Sequence, residues 1–376
     1  MSEPVVFREI SARNGWRIGI ATLNSPQTLN SLSLDMCRLL GPRLDAWAAD
    51  SRVAAVVLNG AGEKAFCAGG DLQALYRGML ACPPGDAWAN IPAREFFEAE
   101  YRLDFHIHRY PKPILCWGSG IIMGGGVGLM LGASHRIVTT TTRFAMPEVT
   151  IGLYPDVAGT WMLSRLPNGI GTFLALTGAQ LGAADCVHLG LADWICGPAD
   201  LDAALQGLAE TSWDADPERH GAQVDDVLQA LRLPDPEPGP LQRHTSEIRT
   251  GCGQADFGRI GDAITRWKTH DDPWMARAAA TFLAGSPGSA RLGYTLLSRA
   301  RHQSLADTFR AEYIASLRCC AEPDLREGIR ALLIDKDKNP HWQPATLEQA
   351  SGDWVQRFLV APWPAGQPHP LADLAP

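Results

Sequence analysis

The 376-residue chain has no cluster of basic residues. Its 33 Lys and Arg are outnumbered by 41 Asp and Glu, and its formal net charge is −8. Proteins that bind nucleic acid use such clusters to neutralise phosphates, so the charge pattern argues against that class of partner. An anionic ligand would have to be held by individual Lys or Arg side chains and by backbone amides.

Long apolar runs and a secretory signal are also missing. The most apolar window, residues 120–133, is too short and too rich in glycine to cross a bilayer. The N-terminus has neither the basic nor the apolar segment that directs secretion. The nine cysteines include no Cys-x-x-Cys pair, and an odd number fits free thiols in a reducing compartment. These absences predict a cytoplasmic protein without a membrane partner.

The common motifs for nucleotides, metals and serine nucleophiles are absent too. No Gly-Lys-Ser or Gly-Lys-Thr phosphate loop occurs, and the glycines of residues 124–128 lack the order of a dinucleotide site. Gly118-Ser119-Gly120 is too short for a nucleophile elbow. His106 and His108 have no partners at zinc-ligand spacing. We therefore predict no metal site.

Strand and helix patterns alternate along the first half of the chain. Residues 5–10 and 17–23 read as the two strands of a hairpin, and residues 53–58 and 114–117 as buried parallel strands. A unit of strand, glycine turn and helix recurs from about residue 50 to about residue 195. This alternation predicts an α/β core with both faces of its sheet covered.

The pattern changes to helices alone near residue 200. Residues 233–240 are so rich in proline that they predict an exposed linker. We predict three regions: an α/β core over 1–200 that carries the active site, a variable helical and proline-rich insertion over 201–250, and a helical region over 251–376.

Two glycine clusters, Gly69-Gly70 and residues 124–126, each stand where a predicted strand ends and a helix begins. The first amides of a helix are unpaired, so two such turns facing one point can hold an oxyanion. Either cluster alone is explained as well by a tight turn, because glycine is common in any such connection.

Three acidic residues are candidates for chemistry, and each has a simpler alternative. Glu148 follows Pro147 on a rigid loop, but most Glu side chains are exposed. Asp156 either belongs to an active site or caps the helix that begins near Gly159. Glu100 lies on a predicted helix, where an exposed face is its simpler explanation.

Taken together, these motifs resemble the crotonase (enoyl-CoA hydratase/isomerase) superfamily and, within it, the branch of 3-hydroxyisobutyryl-CoA hydrolases. The resemblance covers most of the chain except residues 200–250 and the C-terminal end. It rests on residues 64–71, 123–128, 144–148, 152–156, 174–178 and 327–340. Motifs this numerous, in this order, favour the functional interpretation of the glycines and of Glu148.

The resemblance implies a fold and a set of roles. The expected fold is α/β, a spiral of ββα turns followed by a helical C-terminal region. The amides of Gly70 and Gly125 would bind the thioester carbonyl oxygen, Glu148 and Asp156 would be the catalytic acids, and Glu100 would line the acyl pocket. The other substrate-binding residues implied are Lys64, Ala65, Phe66, Ala68 and Asp71. Coenzyme A would be part of the substrate, so no cofactor is expected.

The sequence departs from the hydratase pattern at two positions. Typical hydratases carry a second catalytic glutamate where this chain has Gly128, and glycine where it has Asp156. We therefore expect a hydrolase of a short β-hydroxyacyl-CoA. Its expected partners are the acyl-CoA substrate and other copies of the same chain, in a homo-oligomer. The alternatives left open are a hydratase or isomerase of enoyl-CoA and a catalytically silent CoA-binding protein.

Overall fold

The computed structural model describes residues 3–375 and divides into two compact units. The first unit contains the residues up to Gly70, Leu103–Phe144 and Leu181–Gln242, and the second contains Asp71–Arg102, Ala145–Gln180 and the residues from Arg243 onward. The units therefore alternate along the chain, whereas the regions predicted from the sequence follow one another. The predicted divisions at residues 200 and 250 are not the boundaries of these units and stay a description of sequence pattern.

The first unit is built on nine strands in two sheets. The larger sheet has six strands in the order β1-β2-β3-β5-β7-β9, and the smaller has three in the order β4-β6-β8. The strands are β1 Val5–Ser11, β2 Arg17–Leu23, β3 Val53–Gly60, β4 Ala65–Cys67, β5 Ile114–Gly118, β6 Ile121–Met123, β7 His135–Thr139, β8 Arg143–Ala145 and β9 Trp194–Cys196.

The strand pairing follows from the sequence pattern. The β1–β2 hairpin is antiparallel and turns at Asn14 and Gly15, both of which have positive φ. From β2 to β9 the pairs in the larger sheet are parallel. Strand β3 is buried along almost its whole length, as expected for a strand covered on both faces. The predicted α/β fold with its parallel sheet is confirmed.

Sixteen α-helices lie among residues 3–375. They are α1 Leu34–Ala49, α2 Leu72–Leu80, α3 Ile91–His108, α4 Gly125–Leu131, α5 Gly159–Ser164, α6 Ile170–Thr177, α7 Ala183–His188, α8 Leu201–Glu210, α9 His220–Leu231, α10 Pro240–Cys252, α11 Phe257–Arg266, α12 Pro273–Ala284, α13 Pro287–Ala300, α14 Leu305–Ala321, α15 Pro323–Ile329 and α16 Gly352–Gln356. Ser33 caps α1 as predicted, accepting a hydrogen bond from the Met36 amide at 3.2 Å. None of these helices combines the length and the apolar character needed to span a membrane.

Helices α8 and α9 give a structural role to the region after residue 200. Leu205 and Leu208 of α8 and Val224 and Leu228 of α9 belong to one buried cluster with residues of the six-stranded sheet. Burial of this apolar surface stabilises the sheet, at about 25 cal/mol per Å². Residues 232–239, which follow α9, have no regular structure, as their proline content predicts.

The second unit is mainly helical and includes the 17-residue helix α14. The buried face of α14 includes Phe309, Glu312, Tyr313 and Ser316. These positions recur at the spacing of one helix face. The predicted helical C-terminal region is therefore confirmed, and it places two polar side chains, Glu312 and Ser316, on an otherwise apolar buried stripe.

Candidate active site

The two glycine turns lie in the first unit. Strand β4 ends at Cys67 and is followed by Gly69, whose φ of +109° is strained for any residue with a side chain. Strand β6 is followed by Gly124, with φ +49°, and α4 then begins at Gly125. Both turns thus join a strand to a helix, as the sequence predicted.

These turns pack against each other through backbone that tolerates no side chain. A Cβ atom at Gly126 would lie 2.3 Å from the carbonyl oxygen of Cys67. A Cβ atom at Gly69 would lie 3.4 Å from the carbonyl oxygen of Met123 and 3.9 Å from the Gly125 nitrogen. Close contact between the turns explains Gly126, and the positive φ explains Gly69. The roles of the Gly70 and Gly125 amides as oxyanion donors stay predictions.

The other residues predicted to bind substrate are spread along the first turn. Lys64 is exposed, Ala65 and Phe66 are buried in β4, and Ala68 is partly exposed. Asp71 caps α2 in the second unit, where its carboxylate accepts a hydrogen bond from the Ala74 amide at 3.0 Å. The cap accounts for Asp71 structurally, and contact of these residues with substrate stays a prediction.

Glu148 is a buried acid in the second unit. It opens a short 3₁₀ turn, Glu148–Ile151, and is only 4% exposed. Within residues 3–375 its Oε2 atom has no hydrogen-bond partner. Burial, and then the charge of Asp156, raises the pKa of Glu148 well above its usual range. The simpler explanation of Glu148 as a surface acid is wrong, and a buried carboxyl with a raised pKa is a candidate for catalysis.

Asp156 is also buried, at 5% exposure, and does not cap a helix. Helix α5 begins at Gly159 with Ala158 at the N-cap position, and no side chain caps it. The Asp156 carboxylate instead accepts a hydrogen bond from the Tyr101 hydroxyl at 2.7 Å. Burial raises the pKa of Asp156 to about 6, and the Tyr101 hydrogen bond opposes this rise. The helix-cap alternative is therefore wrong.

Glu100 is buried on α3, with 2% exposure, so it does not lie on a solvated helix face. It is the neighbour of Tyr101 in the sequence, and its charge contributes to the raised pKa of the Tyr101 hydroxyl. A buried glutamate on this helix is compatible with the predicted acyl-pocket role, which stays a prediction.

Sequence reasoning missed the polar partners of Asp156. The Tyr101 hydroxyl contacts Ser316 Oγ at 2.8 Å, and Ser316 Oγ contacts the Tyr154 hydroxyl at 2.9 Å. The Tyr154 hydroxyl donates to the backbone carbonyl of Glu312 at 2.7 Å. The one available signal was the position of Ser316 and Glu312 on the apolar face of α14.

Glu312 is another buried carboxyl in the second unit, with 0% exposure. It accepts hydrogen bonds from the Ala158 amide at 2.8 Å and from both the amide and the hydroxyl of Thr160. Val157 and Ala158 both have positive φ, which is strained for residues with side chains. Glu312 thus holds the strained turn after Asp156. Burial raises its pKa to about 8, against the hydrogen bond from Thr160.

One cluster of metal-ligand atoms, from His244, Glu247 and His270, lies within 4.8 Å. Hydrogen bonds account for it. His270 Nδ1 accepts from the Asp272 amide at 2.9 Å, so its Nε2 carries the proton and donates to Glu247 at 3.2 Å. A metal on this nitrogen would have to displace that proton. The absence of a metal site stays a prediction.

The family model described as enoyl-CoA hydratase/isomerase matches residues 18–359. The chain is 35% identical over 348 residues to a protein of Danio rerio named "3-hydroxyisobutyryl-CoA hydrolase, mitochondrial", covering 91% of this chain and 86% of that protein. The Homo sapiens protein of the same name is 32% identical over 336 residues, covering 89% and 83%.

Two solved structures have the same fold over almost the whole chain. A carnitinyl-CoA dehydratase from Mycobacterium thermoresistibile has a TM-score of 0.85 and 36% identity, covering 99% of both chains. An enoyl-CoA hydratase from Rhodobacter sphaeroides has a TM-score of 0.80 and 32% identity, covering 96% of this chain and 98% of its own. Their names point to hydration chemistry, whereas those of the curated relatives point to hydrolysis.

The relatives from Danio rerio and Homo sapiens correct the predicted location. Both of these proteins are named mitochondrial, so the prediction of a cytoplasmic protein was wrong. Its reasoning was insufficient, because reduced cysteines and the absence of a secretory signal do not distinguish the cytosol from the mitochondrion.

Proposed function

Because the chain belongs to the enoyl-CoA hydratase/isomerase family, we propose that it is an acyl-CoA thioester hydrolase that converts 3-hydroxyisobutyryl-CoA and water into 3-hydroxyisobutyrate and CoA, a step of valine breakdown. The observation that carries the reaction type is the pair of buried carboxyl groups, Glu148 and Asp156, in a chain with no side chain at Gly128. The names of the curated relatives support the substrate.

Hydrolysis places negative charge on the thioester oxygen, and backbone amides can stabilise that charge without reorganising. In this proposal the amides of Gly70 and Gly125 donate to the oxyanion. One such donor typically lowers the barrier by about 3 kcal/mol. The proposed reaction needs no cofactor, because coenzyme A enters as part of the substrate.

Glu148 has two possible roles in this reaction, and its buried, unpartnered Oε2 suits both. As a nucleophile, it attacks the thioester carbon, the C–S bond breaks, and the acyl group remains on Glu148 as a mixed anhydride until water hydrolyses it. As a general base, it removes a proton from the attacking water. In either case the raised pKa of Glu148 makes its carboxylate more basic than a solvated one.

Asp156 supplies the proton that the CoA thiolate needs as it departs, and recovers one from water. With a pKa of about 6, the Asp156 carboxyl exchanges protons near neutral pH. Glu100, or Asp156 itself, reads the β-hydroxyl group of the acyl chain. The adenine-nucleotide part of CoA contacts Lys64, Ala65 and Phe66, with Ala68 and Asp71 completing the substrate contacts.

The names of the two solved structures favour a second candidate, hydration or isomerisation of an enoyl-CoA. Adding water to a double bond needs one group to activate the water and another to manage the proton at the α-carbon. Typical hydratases provide the second group at the position of Gly128, which has no side chain. A silent CoA-binding protein is the third alternative, and the presence of Glu148 and both glycine turns argues against it.

One panel of substrates separates these functions. Purified protein is given 3-hydroxyisobutyryl-CoA, 3-hydroxypropionyl-CoA or crotonyl-CoA while free thiol and enoyl absorbance are recorded. We expect thiol release from the β-hydroxyacyl-CoAs and almost no loss of enoyl absorbance with crotonyl-CoA. The Glu148→Gln variant serves as the control for contaminating thioesterases.

Fast hydration of crotonyl-CoA without thiol release would refute the hydrolase proposal and support the second candidate. Binding of CoA esters without turnover of any of them would support the third. We also propose a homo-oligomer, which sedimentation of the same protein at several concentrations tests.

A further inference from the structure

A chain of three buried hydroxyl groups runs from Asp156 to a backbone carbonyl in the second unit. Asp156 Oδ2 contacts the Tyr101 hydroxyl at 2.7 Å, which contacts Ser316 Oγ at 2.8 Å. Ser316 Oγ contacts the Tyr154 hydroxyl at 2.9 Å, and Tyr154 contacts the Glu312 carbonyl oxygen at 2.7 Å. We call Tyr101, Ser316 and Tyr154 the hydroxyl chain. All three side chains are fully buried, with 0% exposure.

Counting hydrogens shows that this chain is sensitive to the protonation of Asp156. The chain makes four contacts between Asp156 and the Glu312 carbonyl, and each contact needs one hydrogen. An ionised Asp156 and the Glu312 carbonyl are both acceptors only, so the three hydroxyls supply three hydrogens for four contacts. One contact is then left without a hydrogen. A proton on Asp156 Oδ2 supplies the fourth and completes the chain.

We propose that Tyr101, Ser316 and Tyr154 are positioning residues that set the protonation equilibrium of Asp156, with Ser316 and Tyr154 favouring its protonated form. The inference rests on the proposed catalytic role of Asp156. When Asp156 gains a proton, its O–H donates to Tyr101, Tyr101 donates to Ser316, Ser316 to Tyr154, and Tyr154 to the carbonyl. When Asp156 gives this proton to the departing thiolate, Tyr101 turns its hydrogen back to the carboxylate. Water then returns the proton during hydrolysis of the acyl group.

The other acids near Asp156 do not oppose this effect. The charge of Asp156 raises the pKa values of Glu148 and Glu312, so both carboxyls are still protonated at the pH where Asp156 ionises. Burial raises the pKa values of Cys319 and Cys320 on α14, and the charge of Asp156 raises them further, so both thiols stay neutral. The hydroxyls of Tyr101 and Tyr154 likewise have pKa values raised well above the usual range. Within residues 3–375, the groups shown to interact with the charge of Asp156 are acids, phenols and thiols, and none is a cation: Tyr101, Glu148, Tyr154, Glu312, Cys319 and Cys320.

Three substitutions have predicted effects of opposite sign on the pKa of Asp156. Tyr101→Phe removes the donor to the carboxylate, and because hydrogen bonds to charged groups are the stronger ones, the pKa should rise by about one unit. Ser316→Ala removes two contacts and one hydrogen, so the hydroxyls of Tyr101 and Tyr154 satisfy both remaining contacts when Asp156 is ionised, and the pKa should fall by about half to one unit. Tyr154→Phe frees Ser316 to donate to Tyr101, and the pKa should again fall.

The measurement is a ¹³C NMR titration of protein labelled at the aspartate carboxyl carbons, with Asp156→Asn used to assign the resonance. Thr308→Val is the matched control, because Thr308 is a buried hydroxyl on the same helix that donates to the Ser304 carbonyl at 2.9 Å. This variant should leave the pKa of Asp156 unchanged. Circular dichroism verifies folding, and either Ser316→Ala or Tyr154→Phe suffices if the other does not fold.

A pKa of Asp156 that stays constant or rises in the folded Ser316 or Tyr154 variant overturns the proposal. The pH profile of thiol release in the same variants distinguishes its failure from failure of the proposed function. If the titration moves as predicted and the rate profile does not, the hydroxyl chain stands and Asp156 is not the catalytic proton carrier. If both move together in opposite directions for Tyr101→Phe and Ser316→Ala, both proposals are supported.

Discussion

Replacing Asp156 by Asn separates the catalytic role of this side chain from its effect on stability. Asn keeps the size of the side chain, and its carbonyl oxygen can still accept the hydrogen bond from Tyr101. The variant loses only the ability to ionise. We expect thiol release to fall by at least a hundredfold, because general acid–base catalysis typically contributes that much. If Asp156 only capped a helix, thiol release would be retained in this variant, since Asn caps about as well as Asp.

The same substitution should also stabilise the protein relative to wild type, and this difference should grow as the pH rises. The pKa of Asp156 is about 6 in the folded protein, against 3.8 for a free side chain. Between these values the folded state holds the proton and the unfolded state does not, so wild-type stability falls as the pH rises through this window. A difference of about two units corresponds to about 3 kcal/mol, which is large beside the usual 5–15 kcal/mol of net stability.

Urea unfolding of both proteins at several pH values between about 4 and 7.5 measures this difference. The free energy of unfolding of Asp156→Asn relative to wild type should rise by about 3 kcal/mol across the series, with most of the change below about pH 6.5. Loss of the Asp156 charge also lowers the pKa values of Glu148 and Glu312, which acts in the same direction. A constant difference across the series would show that Asp156 ionises as easily in the folded protein as in water and would refute the reasoning.

Three further predictions concern the rest of the candidate site. Gly125→Val should abolish thiol release while the protein still folds, because a branched side chain would block the approach of a ligand to its amide; full activity would remove Gly125 from the site. Glu148→Gln should lower the rate of thiol release by several orders of magnitude, on the order of 10³-fold or more, and a near wild-type rate would exclude it as nucleophile or base. Saturated acyl-CoAs should have a lower kcat/KM than β-hydroxyacyl-CoAs, because they cannot make the hydrogen bond to the acid proposed to read the hydroxyl, Glu100 or Asp156. Equal values for both substrate classes would contradict that role.

Features that depend on neighbouring residues could be predicted from the sequence. The β1–β2 hairpin, the cap at Ser33 and the two glycine turns all rest on a few consecutive residues, and each is present in the structure. Proline likewise predicted irregular structure over residues 233–240, and this is confirmed as far as residue 239. Pro240 instead opens α10, where its missing amide hydrogen is not needed.

The surroundings of the acids could not be predicted in this way. Tyr101 and Ser316 are 215 residues apart in the sequence, yet the Tyr101 hydroxyl oxygen lies 2.8 Å from Ser316 Oγ. No local sequence pattern links the two residues. Whether Asp156 caps α5 or points into the interior depends on that distant packing. The same holds for Glu148, whose 3₁₀ turn packs against α12 and α15, two helices that lie more than a hundred residues later in the sequence.

The similarity of the fold does not decide between hydration and hydrolysis. A TM-score of 0.85 to a protein named as a dehydratase shows that the backbone is shared, and the role proposed for the two glycine turns, polarising a thioester carbonyl, would serve either reaction. The reactions differ in where the second acid lies. In this chain the helix after the second glycine turn offers only Gly128, whereas Asp156 lies on a strained turn held by Glu312 and is bonded to Tyr101. A carboxyl group with a pKa of about 6 is suited to protonating a thiolate, and this is the step that hydrolysis requires and hydration does not.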